Sequence, residues 1–390
     1  MKVLGLILEL NPPHHGHKYF IDKAIELVKP DVTIAVISTN FTMRGDISVI
    51  NKFDKTNFCL DNNIDLVLEL PYIAAVASAD YFCSNAVNIL NSFNVTDIAF
   101  GCELANINKL KKLNNYLKNP KYNEALKEYL QKGFSYSNAC NKALMTMTKD
   151  LELIENFSMP NNTLAIQYIN TIESIKEKNN KEINIHLIQR IENNYFDTIA
   201  STRIASATSI RNLMMNYEDY SEYIVNNDIK YLDINKAYEK LLTIIKSTFI
   251  LKNDIYEIRD LLGVKEGIEN RLDNVVGLSN SYDELVQNAC TKRYSQNYIK
   301  RLLLNIILKV PDQVQKVNYL RVLGFNKTGE SHIKTLPKAI KEEIITTYKG
   351  SLTTPSKYEL KATKLYGLLS GDENIYLQEY QMPIRRKENA

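Results

Sequence analysis

Four apolar runs punctuate the first hundred residues: Val3–Leu10, Val32–Ile37, Asp65–Leu70 and Asp97–Phe100. Each is nearly continuous rather than alternating, the pattern of parallel strands covered on both faces. Between the first two, Phe20, Ala24, Leu27 and Val28 fall at i, i+4, i+7 and i+8 within Gly16–Lys29, one face of an amphipathic helix. Tyr72–Phe93, rich in small and apolar residues, is expected to be largely helical. This β-α rhythm predicts an α/β fold, a Rossmann-like, doubly wound parallel sheet.

Residues 104–160 read as a mostly helical, polar insertion. Asn162 stands where an N-cap would open a helix over Thr163–Ile175, Ile183–Ile188 reads as another core strand, and Ser206–Arg211 opens a further helix. From about Tyr217 the rhythm is lost and helical patterns dominate. No Pro/Gly linker marks a boundary, which falls between residues 215 and 230. The division expected is 1–220, the α/β domain, and 221–390, a mainly α-helical C-terminal domain.

Composition changes this picture little, and charge changes it more. With 45% hydrophobic and 24% charged residues the chain is an ordinary globular sequence. Its five cysteines, Cys59, Cys83, Cys102, Cys140 and Cys290, are odd in number and never form a CxxC pair, which argues against a disulfide framework or a zinc site and suits a reducing cytoplasm. MKVLGLILEL is broken by Glu9 and followed by Asn-Pro-Pro, so it reads as a buried strand rather than a signal peptide, and no run reaches the length of a membrane span. Net charge is +3 overall, but residues 291–390 hold 18 Lys and Arg against 9 Asp and Glu, leaving the rest mildly acidic. Such asymmetry suggests a polyanionic partner for the C-terminal part, and equally suits a solvated basic face.

Three of the five histidines lie in His14-His15-Gly16-His17, at the turn from the first strand to the first helix. Open α/β sheets bind ligands at strand C-termini, and helix N-termini present N–H groups and partial positive charge to phosphates. Asn11-Pro12-Pro13 gives a rigid, non-helical approach and Gly16 permits close approach of a ligand. His14 and His17 are therefore the catalytic candidates, stabilising charge that develops on a phosphate. A metal pair at i, i+3 and a solvated turn are the alternatives; no nearby carboxylate or cysteine completes a metal set.

This strand–HxGH–helix arrangement resembles the HxGH nucleotidyltransferase superfamily. The longer run Glu9-Leu10-Asn11-Pro12-Pro13-His14-His15-Gly16-His17 is similar to the E-x-N-P-F-H-N-G-H opening of the tRNA(Met) cytidine acetate ligase family. Ser38–Asp46, Asp65–Pro71, Ser78–Phe82, Phe100–Glu103, Asn161–Ala165 and Ser206–Arg211 resemble further segments of that family in the same order, with echoes at Arg293 and Arg321–Phe325. Departures are Pro13, His15, Thr39, Met43, Asp46 and Lys55; none removes a histidine of the HxGH.

The resemblance implies an ATP-dependent ligase that forms acetyl-adenylate from acetate and ATP and passes the acetyl group to the wobble cytidine of elongator tRNA(Met), giving N(4)-acetylcytidine. Mg²⁺ is expected with the nucleotide on general grounds, and no DNA, membrane or obligate protein partner is expected. The resemblance also implies an ATP site formed by Ile7, Leu8, Glu9, Leu10, Asn11, Pro12, Pro13, His14, His15, Gly16, His17, Lys18, Tyr19 and Phe20, with Gly101, Asn162, Arg190 and Ile191. Thr208 and Arg211 sit like the helix-opening pair that holds triphosphate oxygens. Arg44 and Lys52 are expected at the acyl-adenylate or tRNA side, and Asp46 and Glu103 as carboxylates for metal or for positioning. Lys292, Arg293, Lys300 and Arg301 flank an apolar stripe of Ile299, Leu302, Leu303 and Ile306 and are the tRNA-backbone candidates. Alternatives are another HxGH nucleotidyltransferase acting on a small substrate, an inactive RNA-binding relative, and a class I tRNA synthetase relative, for which no KMSKS-like loop is found.

Overall fold

A computed structural model of the chain describes residues 1–157, 159–190, 205–225, 229–252, 254–265, 267–313, 317–350 and 352–386. Strands β1 (Val3–Leu8), β2 (Val32–Ser38), β3 (Leu66–Leu70), β4 (Asp97–Cys102) and β5 (Asn184–Gln189) are all parallel to their neighbours among these five, in the order β5-β4-β1-β2-β3. The order reverses between β1 and β4, and a crevice opens at their C-terminal ends, where such sheets take ligands.

Period-two alternation sorts the strand residues onto two faces. Leu4, Leu6, Ala35 and Ile37 pack with helices α1 (His15–Val28) and α2 (Lys52–Asp61). Val32, Ile34, Val36, Leu66 and Leu68 pack on the other face, against α3 (Tyr72–Ala75) and α4 (Ala79–Ser92). The largely helical stretch Tyr72–Phe93 is two helices, parted where Ser78 takes an extended conformation as an N-cap.

The insertion after β4 forms α5 (Ile107–Lys118), α6 (Pro120–Gln131), α7 (Tyr136–Met147) and α8 (Leu151–Phe157), covered by α9 (Pro160–Asn179). Helix α9 begins earlier than expected: Pro160 occupies its first turn and Met159 caps it, so Asn162 lies inside the helix. Helix α10 (Ala207–Met215), capped by Ser206, closes the first half of the chain.

The second half is mainly helical: α11 (Ile234–Leu251), α12 (Ile268–Val276), α13 (Tyr282–Ala289), α14 (Gln296–Leu308), α15 (Lys327–Thr335), α16 (Lys338–Glu343) and α17 (Thr354–Ser370). It is not separate from the sheet. Strand β6 (Leu320–Phe325) pairs antiparallel with β3, and β7 (Ile344–Ile345) and β8 (Ile384–Arg385) pair with β6. The sheet expected from residues 1–220 alone is therefore completed by residues far beyond that boundary. Pairing covers what would otherwise be the open hydrogen-bonding edge of β3. No described helix is long and apolar enough to cross a membrane.

Candidate active site

The crevice between β1 and β4 is a cleft of about 970 Å³. Its floor is the chain leaving β1, Ile7 to Asn11, beside Phe100 and Gly101 of β4. Four helices bring their N-terminal turns to its walls: α1 with His14 and His17, α9 with Asn161, α10 with Ser206, and α14 with Asn297. Helix N-termini carry partial positive charge, so the walls favour an anion before any side chain is counted.

His14 is the N-cap of α1. Its Nδ1 accepts from Gly16 N–H at 3.0 Å, and His17 Nδ1 accepts from His14 N–H at 3.3 Å. A neutral imidazole whose Nδ1 accepts carries its proton on Nε2. The reciprocal cap therefore sets both rings, 4.0 Å apart, as Nε2–H donors. Burial, then the positive charges of Arg190, His15 and Arg211, bring the His14 pKa down from 6.5 to about 4. Burial, then His14, Arg190 and Lys55, hold His17 well below its ordinary value. Two neutral donors, rather than imidazolium ions, face the cleft. The first amides of α1 are less free than expected: His15 N–H donates to Tyr223 O at 3.2 Å, and Gly16 N–H serves His14.

Arg211 reaches back from α10, donating to Asn11 O at 2.6 Å and to Thr208 Oγ1 at 3.2 Å. Arg211 lines the cleft; Thr208 is exposed and braces it from behind, while Ser206 and Ser209 of the same turn take the wall position expected of Thr208. Arg190 follows β5, its N–H bonded to Cys102 O at 3.1 Å, and no carboxylate pairs with its side chain among the described residues. Gly101 lies in β4. A Cβ there would meet protein atoms only at 3.5 Å or beyond, so its bare face belongs to the cleft. Ile191 lies outside the described residues.

Several expected residues stand elsewhere. Asn162 is fully buried; its carboxamide accepts from Leu104 N–H at 2.9 Å and donates to Asn156 O at 2.9 Å, so it braces the loop after β4 while Asn161 lines the cleft. Pro12 and Pro13 are buried, and Lys18 pairs with Asp22 at 2.9 Å; these, with His15, are not on the wall. Lys52 is not at the cleft wall, on either the acyl-adenylate or the tRNA side. It is fully buried, its ammonium 2.7 Å from Glu69, 2.8 Å from Glu359 and 2.5 Å from Glu379. Burial opposes that charge, but the three carboxylates outweigh it and raise the lysine pKa. Arg44 is exposed on the cleft wall.

Lys300 and Arg301 are half-buried and face inward: Lys300 Nζ pairs with Asp46 at 2.7 Å and Arg301 donates to Met43 O at 3.1 Å. Both cations hold the loop after β2 rather than standing free for a phosphate. Lys292 and Arg293 are exposed.

The cleft's carboxylates are committed as well. Glu9 accepts from Met43 N–H at 2.9 Å, and Glu103 from Asn161 at 2.6 Å and Asn162 N–H at 3.0 Å. Asp46 holds Lys300. Among the described residues no group of three His, Cys, Asp or Glu is placed to hold a metal. Glu9 and Glu103 thus each brace a neighbouring loop or helix start, and Asp46 braces α14 through Lys300.

Local pattern did not point to Tyr223, Asn297, Met43 or Tyr168, which also line the cleft. Tyr223 and Asn297 arrive from the second half of the chain, and only the tertiary fold brings them in.

The sequence matches the HIGH Nucleotidyl Transferase family over residues 1–381. It is 34% identical to a tRNA(Met) cytidine acetate ligase of Staphylococcus aureus, over 98% of this chain and 99% of that protein. The chain belongs to the tRNA(Met) cytidine acetate ligase family. The Clostridium kluyveri member is also 34% identical, over 97% of this chain and 98% of its own. In structure, the fold matches Thermotoga maritima TmcAL in its apo form, with TM-score 0.84, 29% identity and coverage of 99% and 100% of the two chains. It matches the same Thermotoga protein bound with alpha-thio ATP with TM-score 0.82, 28% identity and the same coverage.

Proposed function

We propose that this enzyme joins acetate to the α-phosphate of ATP and transfers the acetyl group to the wobble cytidine of elongator tRNA(Met). The observation that carries the first step is the pair of neutral histidines whose caps present two Nε2–H donors at the β1/β4 crevice. An acetate oxygen attacks the α-phosphorus, a P–O bond forms, and the bond to pyrophosphate breaks with its electron pair going to the leaving group. No proton moves in that step, so fixed donors suffice and no general base is required. Arg190 and Arg211, with the N-terminal turns of α1 and α10, attract the triphosphate. Phe82, Phe100, Leu164 and Tyr168 give the cleft an apolar wall for the base and the acetyl methyl. Magnesium would come with the nucleotide, screening phosphate charge as the ATP complex.

In the second step the cytidine N4 amine attacks the acetyl carbon. The C–N bond forms, the acyl–phosphate C–O bond breaks, AMP leaves with that electron pair, and N4 releases one proton. Adenylation of a different small acid or nucleotide is the competing reading. Exchange of labelled pyrophosphate into ATP separates the two. The account predicts exchange that depends on acetate and that falls about a hundredfold or more in the His17→Ala protein, the scale of one lost transition-state donor. Exchange that ignores acetate would overturn it.

A further inference from the structure

Asn297 is a cleft residue that the ATP chemistry leaves unused. It lies in the first turn of α14, whose N-cap is Ser295, on an exposed stretch of the cleft wall, and among the described residues its carboxamide has no hydrogen-bond partner. Its place is set by the turn that follows. Lys300 and Arg301 are three and four residues on, hence on the same helix face. That face is pressed onto the loop after β2. Lys300 pairs with Asp46, Arg301 holds Met43 O, and Gly45, at φ +80°, lies so close that an added Cβ would stand 2.7 Å from Arg301 N. The same loop turns Arg44 to the cleft, exposed and unpaired among the described residues. Arg44 and Asn297 therefore form one side of the opening, a cation and a free amide held by a shared brace. The phosphate-attracting groups, His14, His17, Arg190 and Arg211, come from other elements.

We infer that Asn297 and Arg44 are the nucleobase-recognition pair: Asn297 engages the edge of the extruded cytosine, and Arg44 holds its adjoining phosphate. The inference rests on the acetyl-transfer reading above. A carboxamide offers one acceptor and two donors, the complement of the cytosine edge with its N4–H donor and N3 acceptor. Enzymes that modify a base in RNA read it in this splayed state, through edge hydrogen bonds and backbone charge. Arg suits the phosphate because its guanidinium binds such groups in two-pronged fashion.

The test compares wild type with Asn297→Ala, Asn297→Asp and Arg44→Ala in two assays. One is acetate-dependent pyrophosphate exchange, which needs no RNA. The other is acetylation of unmodified elongator tRNA(Met) transcript under kcat/KM conditions. Asn297→Ala is expected to lower kcat/KM for tRNA about tenfold or more, the worth of one base-edge contact, while exchange stays within about twofold. Asn297→Asp should do at least as much, because it removes the donor and adds charge beside RNA. Arg44→Ala should raise KM for tRNA and weaken its salt dependence. Unchanged tRNA kinetics, or exchange and transfer falling together, would overturn the assignment. Wild-type protein that exchanges pyrophosphate yet acetylates no tRNA would instead overturn the reading on which it rests.

Discussion

The two histidines do two jobs at once, and the jobs can be separated. His14 caps α1 through Nδ1 and presents Nε2–H to the cleft. Asparagine is a good N-cap but has no group reaching where Nε2 does. The His14→Asn protein should therefore keep its thermal stability to within about 1 kcal/mol, while exchange drops about a hundredfold. Equal losses of both would mean that the cap, not the donor, is what the reaction needs. The shifted pKa values give a second handle. The unfolded chain takes up a proton at His14 near 6.5, the folded chain only near about 4. Stability from this group is complete above 6.5 and is lost as pH falls toward 4. In an NMR pH titration of the ligand-free protein the His14 ring should likewise stay neutral through pH 6.5; protonation near 6.5 would mean that burial and the neighbouring cations do not hold it neutral. The HxGH turn itself was legible in sequence, since three histidines beside Gly16 at a strand end leave few other uses. Which ring nitrogen carries the proton was not, because that depends on backbone contacts only the fold supplies.

At the scale of elements, the second half of the chain is fastened to the sheet by a buried ionic cluster. Lys52 of α2, Glu69 of β3, Glu359 of α17 and Glu379 near the C-terminus meet with no solvent exposure, and Arg321 of β6 lies 3.5 Å from Glu379. Tyr319 and Tyr348 donate to Glu69 at 3.2 and 2.8 Å. Burial, opposed by Lys52 but reinforced by Glu69 and Glu379, lifts the Glu359 pKa to about 7. Removing the central cation leaves carboxylates buried without their partner, and Lys52→Met should cost about 3–5 kcal/mol in urea unfolding. A loss below about 1 kcal/mol would show that the cluster relaxes by taking up protons or water. The burial of Lys52, expected at the acyl-adenylate or tRNA side, and of Lys300, expected at the tRNA backbone, is not legible in sequence, because a lone cation in a polar stretch looks the same whether it meets solvent or a carboxylate hundreds of residues away. The parallel strands were legible for the opposite reason: their signal is a local apolar run. Leu320–Phe325 is such a run too, but among helical patterns nothing local tells that it pairs with β3.

Across the whole molecule, one chain builds a nucleotide crevice from its first half and then returns to line the same cleft. Tyr223 and Asn297 reach that cleft from beyond residue 220, and β6 completes the sheet. The expected division at residue 220 follows the change of pattern along the sequence, whereas the packing joins the two parts. With residues of both halves lining one cleft, an acyl-adenylate formed there would need no release before transfer if the RNA enters past Arg44 and Asn297, as inferred above. The most direct test is to incubate the protein with ATP, Mg²⁺, acetate and unmodified elongator tRNA(Met), digest the RNA and weigh its nucleosides. The account predicts acetylcytidine that requires both ATP and acetate and that is lost in the His17→Ala protein. Pyrophosphate release without acetylcytidine, or acetylcytidine formed as well by His17→Ala, would contradict it.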